Sequence, residues 1–205
     1  MRHKPFILGL TGNIASGKTF VLQWLAKHGA ITIDADLVAQ QSYLPGNPAY
    51  EAIIARFGEQ IKQADGQIDR AALAKIVFSD PAQLRALEAI VHPATTGAIN
   101  ARIAEESQKP DVRLIVIEAI KLFETGMAQH CNTTWVTTAD DETRLGRLIQ
   151  GRGMDPTSAA KRLNSQGPQE EKARLADFVI TTDGSFEGTE EQIKAGLQKA
   201  GLTLT

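Results

Sequence analysis

The chain has 205 residues, a length that suits one domain or one domain with an insertion. Its 22 Lys and Arg residues and 24 Asp and Glu residues give a formal net charge of −2, which excludes a dominant electrostatic attraction to nucleic acid or an anionic membrane. The single cysteine, Cys131, cannot form an internal disulfide, and we interpret it as a semi-buried, inert thiol. No apolar run approaches the ~20 residues of a membrane span. The basic start (1–5) precedes an apolar run too short for a signal peptide, so we expect a cytoplasmic protein.

The chain opens with the pattern of a strand, a glycine-rich loop, a helix and a second strand. Residues 5–10 form a short apolar run, which predicts a buried strand. Residues 18–28 carry apolar side chains at helical spacing, and Gly29 is typical of a helix end. Residues 31–33 predict the second strand. This βαβ unit predicts a parallel sheet.

A block of helices then interrupts the alternation of strands and helices. Apolar residues at helical spacing and turn signals fill residues 37–107. Within the block, Asp80 followed by Pro81 predicts the start of a new helix. The pair His92-Pro93 predicts a kink or a restart of that helix. We interpret the block as a helical subdomain inserted beside the sheet.

The alternation resumes after this block. The β-branched runs 112–117 and 133–138 predict two central parallel strands, and 178–180 predicts the last strand. Helices are predicted over 140–149, 155–163, 170–175 and 189–200. We therefore expect a single α/β domain built from a core (1–36, 108–139 and 176–205), a helical insertion of about 37–107 and a lid of about 140–175.

The most informative motif is the segment Gly12–Thr19, which fits the phosphate-loop pattern G-x-x-x-x-G-K-[ST] in full. Its glycines allow backbone N–H groups to face one concavity, and the following helix adds the positive end of its dipole. We expect Lys18 to reach the β- and γ-phosphates and the Thr19 hydroxyl to bind Mg²⁺. We expect the rest of the loop to bind ATP as well: Asn13, Ile14, Ala15, Ser16 and Gly17. The flanking strand and helix favour this interpretation over a chance glycine-rich turn.

The remainder of the chain narrows the class of nucleotide-binding protein. A switch GTPase needs a guanine-reading N-K-x-D after a later strand, but the strand predicted at 133–138 is followed by Ala139-Asp140-Asp141. A large motor or transporter ATPase does not fit this length. A small-molecule kinase does, because it uses a helical acceptor subdomain and an arginine-bearing lid.

Two acidic residues follow the second strand. Ligands of open α/β sheets gather at the carboxyl ends of strands, where a carboxylate can accept the proton of an attacking hydroxyl or hold the hydration shell of Mg²⁺. We expect Asp34 to have this catalytic role. We expect Asp36 to cap the next helix or to contact the acceptor.

Cationic side chains are concentrated in the predicted lid. Positive charge over the transferred phosphoryl group is what phosphoryl transfer requires once water is excluded. Most of these side chains fit a solvated helix face paired with Asp and Glu. For Arg147 and Arg152, a phosphate contact fits as well as a solvated position does. Spacing alone does not decide which of the two arginines would make that contact. The cluster comprises Arg144, Arg147, Arg152, Lys161, Arg162, Lys172 and Arg174.

These motifs together resemble the dephospho-CoA kinase family nearly from end to end. The resemblance lies in G-L-T-G-N-I-A-S-G-K-T (9–19), I-D-A-D (33–36), His92-Pro93, L-F-E (122–124), Arg162 with Gln166, and the segment 176–184. It implies a P-loop NTP hydrolase-type three-layer fold with a parallel sheet, a helical domain that binds coenzyme A, and a lid. It also implies transfer of the γ-phosphoryl group of ATP to the 3′-hydroxyl of dephospho-CoA, the last step of coenzyme A biosynthesis.

The resemblance also implies roles for individual residues. Asp34 is the base, Lys18 acts on the phosphoryl group and Thr19 holds Mg²⁺. On the ATP side it adds Asp183 and Gly184, in a loop that passes the adenine, and from the charge pattern we add Arg147 as a catalytic residue and Arg152 as an ATP contact. On the acceptor side it adds Phe78, His92 and Leu122, to which we add Asp36 and Lys121 from their places after the strands. The residues alone favour a structural His92 at a helix junction. We expect ATP and dephospho-CoA as the partners, no nucleic acid or membrane, and a monomer.

The chain departs from the family pattern at several positions. Asn13 and Ala15 stand where glycines are usual, Gln40 where arginine is usual and Thr182 where asparagine is common. Lys121 lies in a segment where the family has an acidic residue followed by x-Pro-Leu. It either compensates for the charge lost at Gln40, changes the acceptor, or is a surface lysine. The alternatives left open are a related nucleoside or nucleotide kinase and a nucleotide-binding regulatory protein without catalysis.

Overall fold

A computed structural model describes residues 4–203. Residues 1–3, which belong to the segment used for the signal-peptide expectation, lie outside the described residues. The strands are β1 (Phe6–Gly12), β2 (Ile31–Asp34), β3 (Leu114–Glu118), β4 (Thr133–Thr138) and β5 (Phe178–Thr181). The α-helices are α1 (Lys18–Lys27), α2 (Ala35–Ser42), α3 (Pro48–Phe57), α4 (Arg70–Ser79), α5 (Pro81–Glu106), α6 (Asp141–Gly146), α7 (Pro156–Asn164), α8 (Gln169–Leu175) and α9 (Phe186–Lys199).

The five strands form one parallel sheet in the order β2-β3-β1-β4-β5. The central strand β1 pairs on one side with β3, where Leu8 aligns with Val116, and on the other with β4, where Leu10 aligns with Trp135. The sequence-based prediction of a parallel sheet is therefore confirmed. Because these strands are parallel, their carboxyl ends lie at one edge, which is where ligands of such sheets bind.

The described residues divide into two compact units. One unit consists of the chain up to Ile33 together with the chain from Lys109 onward, and the other is Asp34–Gln108. The first unit contains the sheet. Its core packs α1 and α9 against one face of that sheet. The side chains of this core that are less than a tenth exposed include Leu8, Leu10, Val21, Leu25, Leu114, Val116, Trp135, Ile180, Ile193 and Leu197.

The second unit is entirely helical apart from one short antiparallel bridge between Lys62 and Ile68. Its core contains Ile53, Phe57 and Val77, and α5 packs against it through partly buried side chains such as Leu87. The predicted restart at His92-Pro93 is wrong, because α5 continues through Pro93. Apolar packing on both sides of the proline, at Ile90 and at the buried Ile99, explains why the helix persists without that N–H group.

The helix predicted over 140–149 is divided in the structure. The α-helix α6 is followed by a π-helix over Arg147–Gly151. Wider turns of this kind are rare and frequently occur at functional sites. Leu148 in this turn is fully buried in a small cluster with Ala159 and Leu163, while the neighbouring Arg147 faces the loop after β1. Within residues 4–203, no helix has both the length and the apolar character that crossing a bilayer requires.

Candidate active site

The phosphate loop connects the carboxyl end of β1 to the amino end of α1, as predicted. Two of its glycines are required by close packing. A Cβ at Gly12 would lie 2.3 Å from Thr137 Oγ1, and a Cβ at Gly17 (φ 86°) would lie 2.8 Å from the Thr182 side chain. The ammonium group of Lys18 donates a hydrogen bond to the Gly12 carbonyl at 2.8 Å. Lys18 therefore spans the loop from its last residues to its first.

Asn13 and Ala15, the two loop residues noted above as departures from glycine, behave differently from each other. Ala15 adopts a left-handed backbone conformation (φ 59°), which is unfavourable for a residue with a Cβ. Asn13 is not among the residues with positive φ, and its side-chain amide donates to the Gly167 carbonyl at 2.8 Å. The asparagine that replaces a glycine thus ties the phosphate loop to the segment between α7 and α8.

Ile14 is held on both sides by side chains of the predicted lid. Its N–H donates to Gln166 Oε1 at 2.6 Å, and its carbonyl accepts from Arg144 Nε at 3.0 Å. Arg144 also forms an ion pair with Asp141 at 2.9 Å, and its side chain is only 3% exposed. The expectation of a solvated Arg144 is therefore wrong, because its guanidinium is used to hold the phosphate loop. The sequence signal for Gln166 was its place in the family motif, whereas nothing in the spacing singled out Arg144.

Arg147 connects the phosphate loop to the loop that follows β5. Its Nη1 donates to the Ala15 carbonyl at 3.0 Å and to Thr182 Oγ1 at 2.9 Å, and its Nη2 donates to the Thr182 carbonyl. The other lid arginine singled out from the sequence, Arg152, is exposed and makes no side-chain hydrogen bond to residues 4–203. Of these two arginines, the structure therefore brings only Arg147 to the phosphate loop.

The two candidate acidic residues lie at the start of α2, Asp34 as the residue before the helix and Asp36 in its first turn. Asp34 ends β2, is exposed, and caps α2 because its Oδ1 accepts a hydrogen bond from the Leu37 N–H at 2.9 Å. The capping role that we expected for Asp36 therefore belongs to Asp34. The reason is that Asp34 has the extended backbone of an N-cap residue, whereas Asp36 already lies within the first helical turn.

Two further predicted site residues, Phe78 and His92, lie in the second unit together with Gln40. Phe78 lies near the end of α4 and is 79% exposed, and His92 is half-buried on α5. Gln40, which replaces the usual arginine, accepts a hydrogen bond from Arg70 Nη1 at 2.8 Å. The Arg70 guanidinium also lies over the Tyr43 ring, 5.7 Å from its centroid. A cation is thus present next to residue 40 although residue 40 itself is neutral.

The loop that follows β3 contains the predicted acceptor residues Lys121 and Leu122. Lys121 is exposed, whereas Leu122 is fully buried and packs close to Gly9. The Leu122 side chain therefore belongs to the core, and only its backbone could serve a ligand. Lys172 in α8 stabilises this loop by donating to the Ile120 carbonyl at 2.6 Å and by pairing with Glu124 at 3.6 Å.

A cavity of about 180 Å³ lies beside the phosphate loop and the loop after β5. Gly184 lines it, as expected for the predicted nucleotide side, while the side chain of the adjacent Asp183 accepts a hydrogen bond from the Asp140 N–H at 2.9 Å. Two aromatic residues of the lining, Phe20 and Phe186, were missed from the sequence. Phe20 lies within the first predicted helix, whereas Phe186 precedes the last predicted helix (189–200), which in the structure begins three residues earlier, at Phe186.

A parallel sheet, a phosphate loop before the first helix, and arginine side chains that contact that loop define a P-loop kinase. Solved structures with this fold include a shikimate kinase from Bacteroides thetaiotaomicron, with a TM-score of 0.51 and 12% identity over 96% of this chain and 99% of that chain, a likeness of fold alone.

The chain belongs to the dephospho-CoA kinase family, whose model matches residues 6–188. It is 44% identical to the dephospho-CoA kinase of Geobacter metallireducens over 92% of this chain and 94% of that protein. It is 41% identical to that of Symbiobacterium thermophilum over 95% and 81% of the respective chains. The solved dephospho-CoA kinase of Campylobacter jejuni superimposes with a TM-score of 0.66 and 25% identity over 94% of this chain and 96% of that chain.

Proposed function

We propose that this protein transfers the γ-phosphoryl group of ATP to the 3′-hydroxyl of dephospho-CoA, completing coenzyme A. Membership of the dephospho-CoA kinase family supports the reaction. The single structural observation that carries the proposal is the phosphate loop held in place by three lid side chains, Arg144, Arg147 and Gln166. A protein that only sensed nucleotide would not need a lid fixed to the loop in this way.

The phosphate loop would bind the donor through its backbone and through two side chains. The loop N–H groups other than those of Ile14 and Ser16, which are bonded within the protein, would act with the positive end of α1 to favour a polyanion. The Lys18 ammonium group, which donates a hydrogen bond to the Gly12 carbonyl in this structure, would turn to the β- and γ-phosphates. Thr19 fits a metal-binding role because its side chain is exposed at the first turn of α1. Mg²⁺, when bound there, neutralises charge that develops on the phosphate oxygens.

Asp34 would act as the base. Its carboxylate is exposed at the end of β2, and capping of α2 engages one oxygen and orients the other. In phosphoryl transfer the acceptor hydroxyl loses its proton as it attacks, and a positioned carboxylate accepts that proton. The cap therefore serves the chemistry, because it holds the carboxylate in one rotamer.

Arg147 would supply positive charge to the transferred group. It already lies against the Ala15 carbonyl of the phosphate loop, so a small side-chain rotation brings its guanidinium to the phosphates. Arg152, exposed after the π-helix, would join the donor site only on movement of the lid. We assign the acceptor side to Asp36, Phe78, His92, Lys121 and the backbone of Leu122.

A phosphorylation assay with a panel of acceptors tests this proposal. The purified protein should consume ATP with dephospho-CoA and should leave nucleosides and nucleoside monophosphates unchanged. A Lys18→Ala variant should remain folded and lose most of the turnover, because it removes the charge at the phosphate site and a single side-chain bond to the Gly12 carbonyl. Turnover with a nucleoside or nucleotide in place of dephospho-CoA would favour the related kinase. ATP binding without any phosphorylated acceptor would favour a regulatory protein.

A cytoplasmic location and a monomeric state are part of the same proposal. Coenzyme A biosynthesis draws on the ATP of the cell interior, which supports the location. Light scattering at assay concentration, compared with activity across a dilution series, tests the oligomeric state.

A further inference from the structure

The cavity beside the phosphate loop has an apolar side formed by two aromatic rings. Phe20 in α1 and Phe186 at the start of α9 lie with ring centroids 5.0 Å apart and ring planes inclined by 33°. Phe186 is 70% exposed, whereas Phe20 is half-buried against the core. A large exposed aromatic ring over a concave site is costly to leave in water and is typical of a ligand-binding surface.

The hydroxyl groups that line the same cavity are already used within the protein. Thr182 Oγ1 accepts from Arg147 Nη1 at 2.9 Å and donates toward the Ser16 carbonyl at 3.1 Å. Thr189 Oγ1 donates to the Ser185 carbonyl at 3.1 Å. The lining thus offers aromatic surface and few hydrogen-bonding side chains.

The position of the cavity identifies the kind of ligand. Gly17 and Arg147 connect it directly to the phosphate loop, so a group bound in it would be attached to phosphates held by the loop. A planar base bound in the cavity would stack on the exposed Phe186 ring, because every base has a π-face on which an aromatic side chain can pack. Such stacking depends little on the identity of the base, since every base has a π-face.

We propose that Phe186 is the stacking surface for the nucleobase of the phosphoryl donor, and that this protein selects the base by stacking rather than by hydrogen bonds. It therefore accepts GTP as well as ATP. This inference rests on the proposed function in that it assumes a nucleoside triphosphate donor, but it concerns recognition of the base and not of the acceptor.

Titration calorimetry without acceptor tests the inference separately from the reaction. The ligands are ATP, GTP and inorganic triphosphate, and the proteins are the wild type, Phe186→Ala and Phe186→Tyr. Because the Phe186 side chain is largely exposed, its removal should leave folding unchanged, which circular dichroism can verify. The matched control is Leu175→Ala, another exposed apolar side chain (62%) of the same unit that does not line the cavity.

We expect the wild type to bind ATP and GTP with affinities within tenfold of each other. Phe186→Ala should weaken both by about tenfold and leave triphosphate binding unchanged, while Phe186→Tyr and Leu175→Ala should behave as wild type. A preference for ATP of more than tenfold, an unchanged ATP affinity in Phe186→Ala, or an equal loss for triphosphate would overturn the inference. Absence of ATP binding to the wild type would overturn it together with the proposed function. Binding as expected without phosphorylation of dephospho-CoA would overturn only the proposed function.

Discussion

The side-chain oxygen of Gln166 accepts the backbone N–H of Ile14 at 2.6 Å, joining the segment between α7 and α8 to the phosphate loop. A second bond runs in the opposite direction, from the Asn13 side chain to the Gly167 carbonyl at 2.8 Å. The two bonds connect adjacent residues on each side. They therefore set both the position and the orientation of this segment against the loop that would hold the phosphates.

Gln166→Leu should loosen this attachment, because leucine keeps most of the volume and removes the acceptor of the Ile14 N–H. We expect the free energy of unfolding to fall by about 1–2 kcal/mol, the usual cost of a partly buried donor without a partner. We also expect the KM for ATP to rise. Urea denaturation and steady-state kinetics measure the two effects. The control is Gln150→Leu, an exposed glutamine of the same lid, which should change the free energy of unfolding by less than ~0.5 kcal/mol. Equal effects of the two variants would contradict the role of Gln166.

Arg144 is the most buried cation of the lid, and its two partners differ in importance. The Arg144 side chain is 3% exposed, whereas its ion-pair partner Asp141 is 74% exposed. The hydrogen bond from Arg144 to the Ile14 carbonyl is partly buried. We expect Arg144→Met to lower the free energy of unfolding by about 2 kcal/mol, because the carbonyl loses a charge-assisted bond. Asp141→Asn should cost less than ~1 kcal/mol, because exposed ion pairs contribute little. Thermal and urea denaturation of both variants measure the difference, and an equal cost would place the main contribution in the ion pair.

The sequence predicted the sheet, the phosphate loop and most helix boundaries, because each depends on local signals such as apolar periodicity, glycine spacing and N-cap residues. The capping of α4 by Asp69 and of α5 by Asp80 shows how far such signals reach. Contacts between segments far apart in the chain could not be predicted. The burial of Arg144 depends on a carbonyl 130 residues earlier, and no periodicity within the lid encodes that distance.

The same limit applies to the candidate site. The chemistry of Lys18 and Thr19 follows from a contiguous motif, so their places were predictable. Phe186 appeared as an ordinary apolar residue, since its function depends on the neighbouring Phe20 and on a cavity that exists only after folding. For Asp34 and Asp36 the residue types indicated a cap and a base. Only the backbone at the end of β2 decides that Asp34 is the cap.

Ala15 is the non-glycine residue with positive φ within residues 4–203, at 59°. Left-handed backbone costs a residue with a Cβ about 1 kcal/mol, and more when the side chain is β-branched. We expect Ala15→Gly to keep full activity and to leave the free energy of unfolding equal or higher by up to ~1 kcal/mol. Ala15→Val should lower it by about 2 kcal/mol and weaken ATP binding. Urea denaturation measures the free energy of unfolding of the two variants, and calorimetry measures their affinity for ATP. If Ala15→Val were as stable as Ala15→Gly, the loop would not require a left-handed backbone at residue 15.

Burial raises the pKa of the Cys131 thiol from 9.0 to about 11. The thiol also points toward the Met127 carbonyl, with a sulfur–oxygen distance of 3.6 Å. At pH 8 the folded protein therefore holds a far smaller fraction of thiolate than an unfolded chain, whose thiol keeps the ordinary pKa of 9.0. We expect the folded protein to react with a thiol reagent about 100-fold more slowly than the protein in denaturant. Comparable rates would contradict the burial.

The same pKa shift predicts a dependence of stability on pH. Because the folded state holds the thiol proton more tightly, the stability linked to Cys131 is fully present below the unfolded pKa and is lost as pH rises from about 9 to about 11. Cys131→Ala lacks this titration. The free energy of unfolding of the wild type should therefore fall relative to that of Cys131→Ala across this window, as urea denaturation at several pH values can measure. A constant difference would mean that the thiol titrates normally in the folded protein.

Asp34 combines a structural and a proposed chemical role, and two substitutions separate them. Asparagine keeps the side-chain oxygen that accepts the Leu37 N–H, so Asp34→Asn should keep the cap of α2 and lose the base. We expect kcat to fall by about 10²–10⁴-fold with little change in ATP binding, because a base acts in the transition state. Asp34→Ala should show the same loss of kcat and a further decrease of about 1 kcal/mol in the free energy of unfolding, because the cap is removed.

Asp69→Asn is the matched control for this pair. Asp69 caps α4 by accepting the N–H groups of Ala71 and Ala72, so the substitution changes a cap of the same kind without touching the proposed base. Steady-state kinetics with ATP and dephospho-CoA should give a wild-type kcat for Asp69→Asn. If Asp34→Asn also kept a near-normal kcat while Asp34→Ala lost stability, Asp34 would be a helix cap alone. Another carboxylate would then have to accept the proton of the acceptor hydroxyl. Asp36, in the first turn of the same helix, is the first candidate to test.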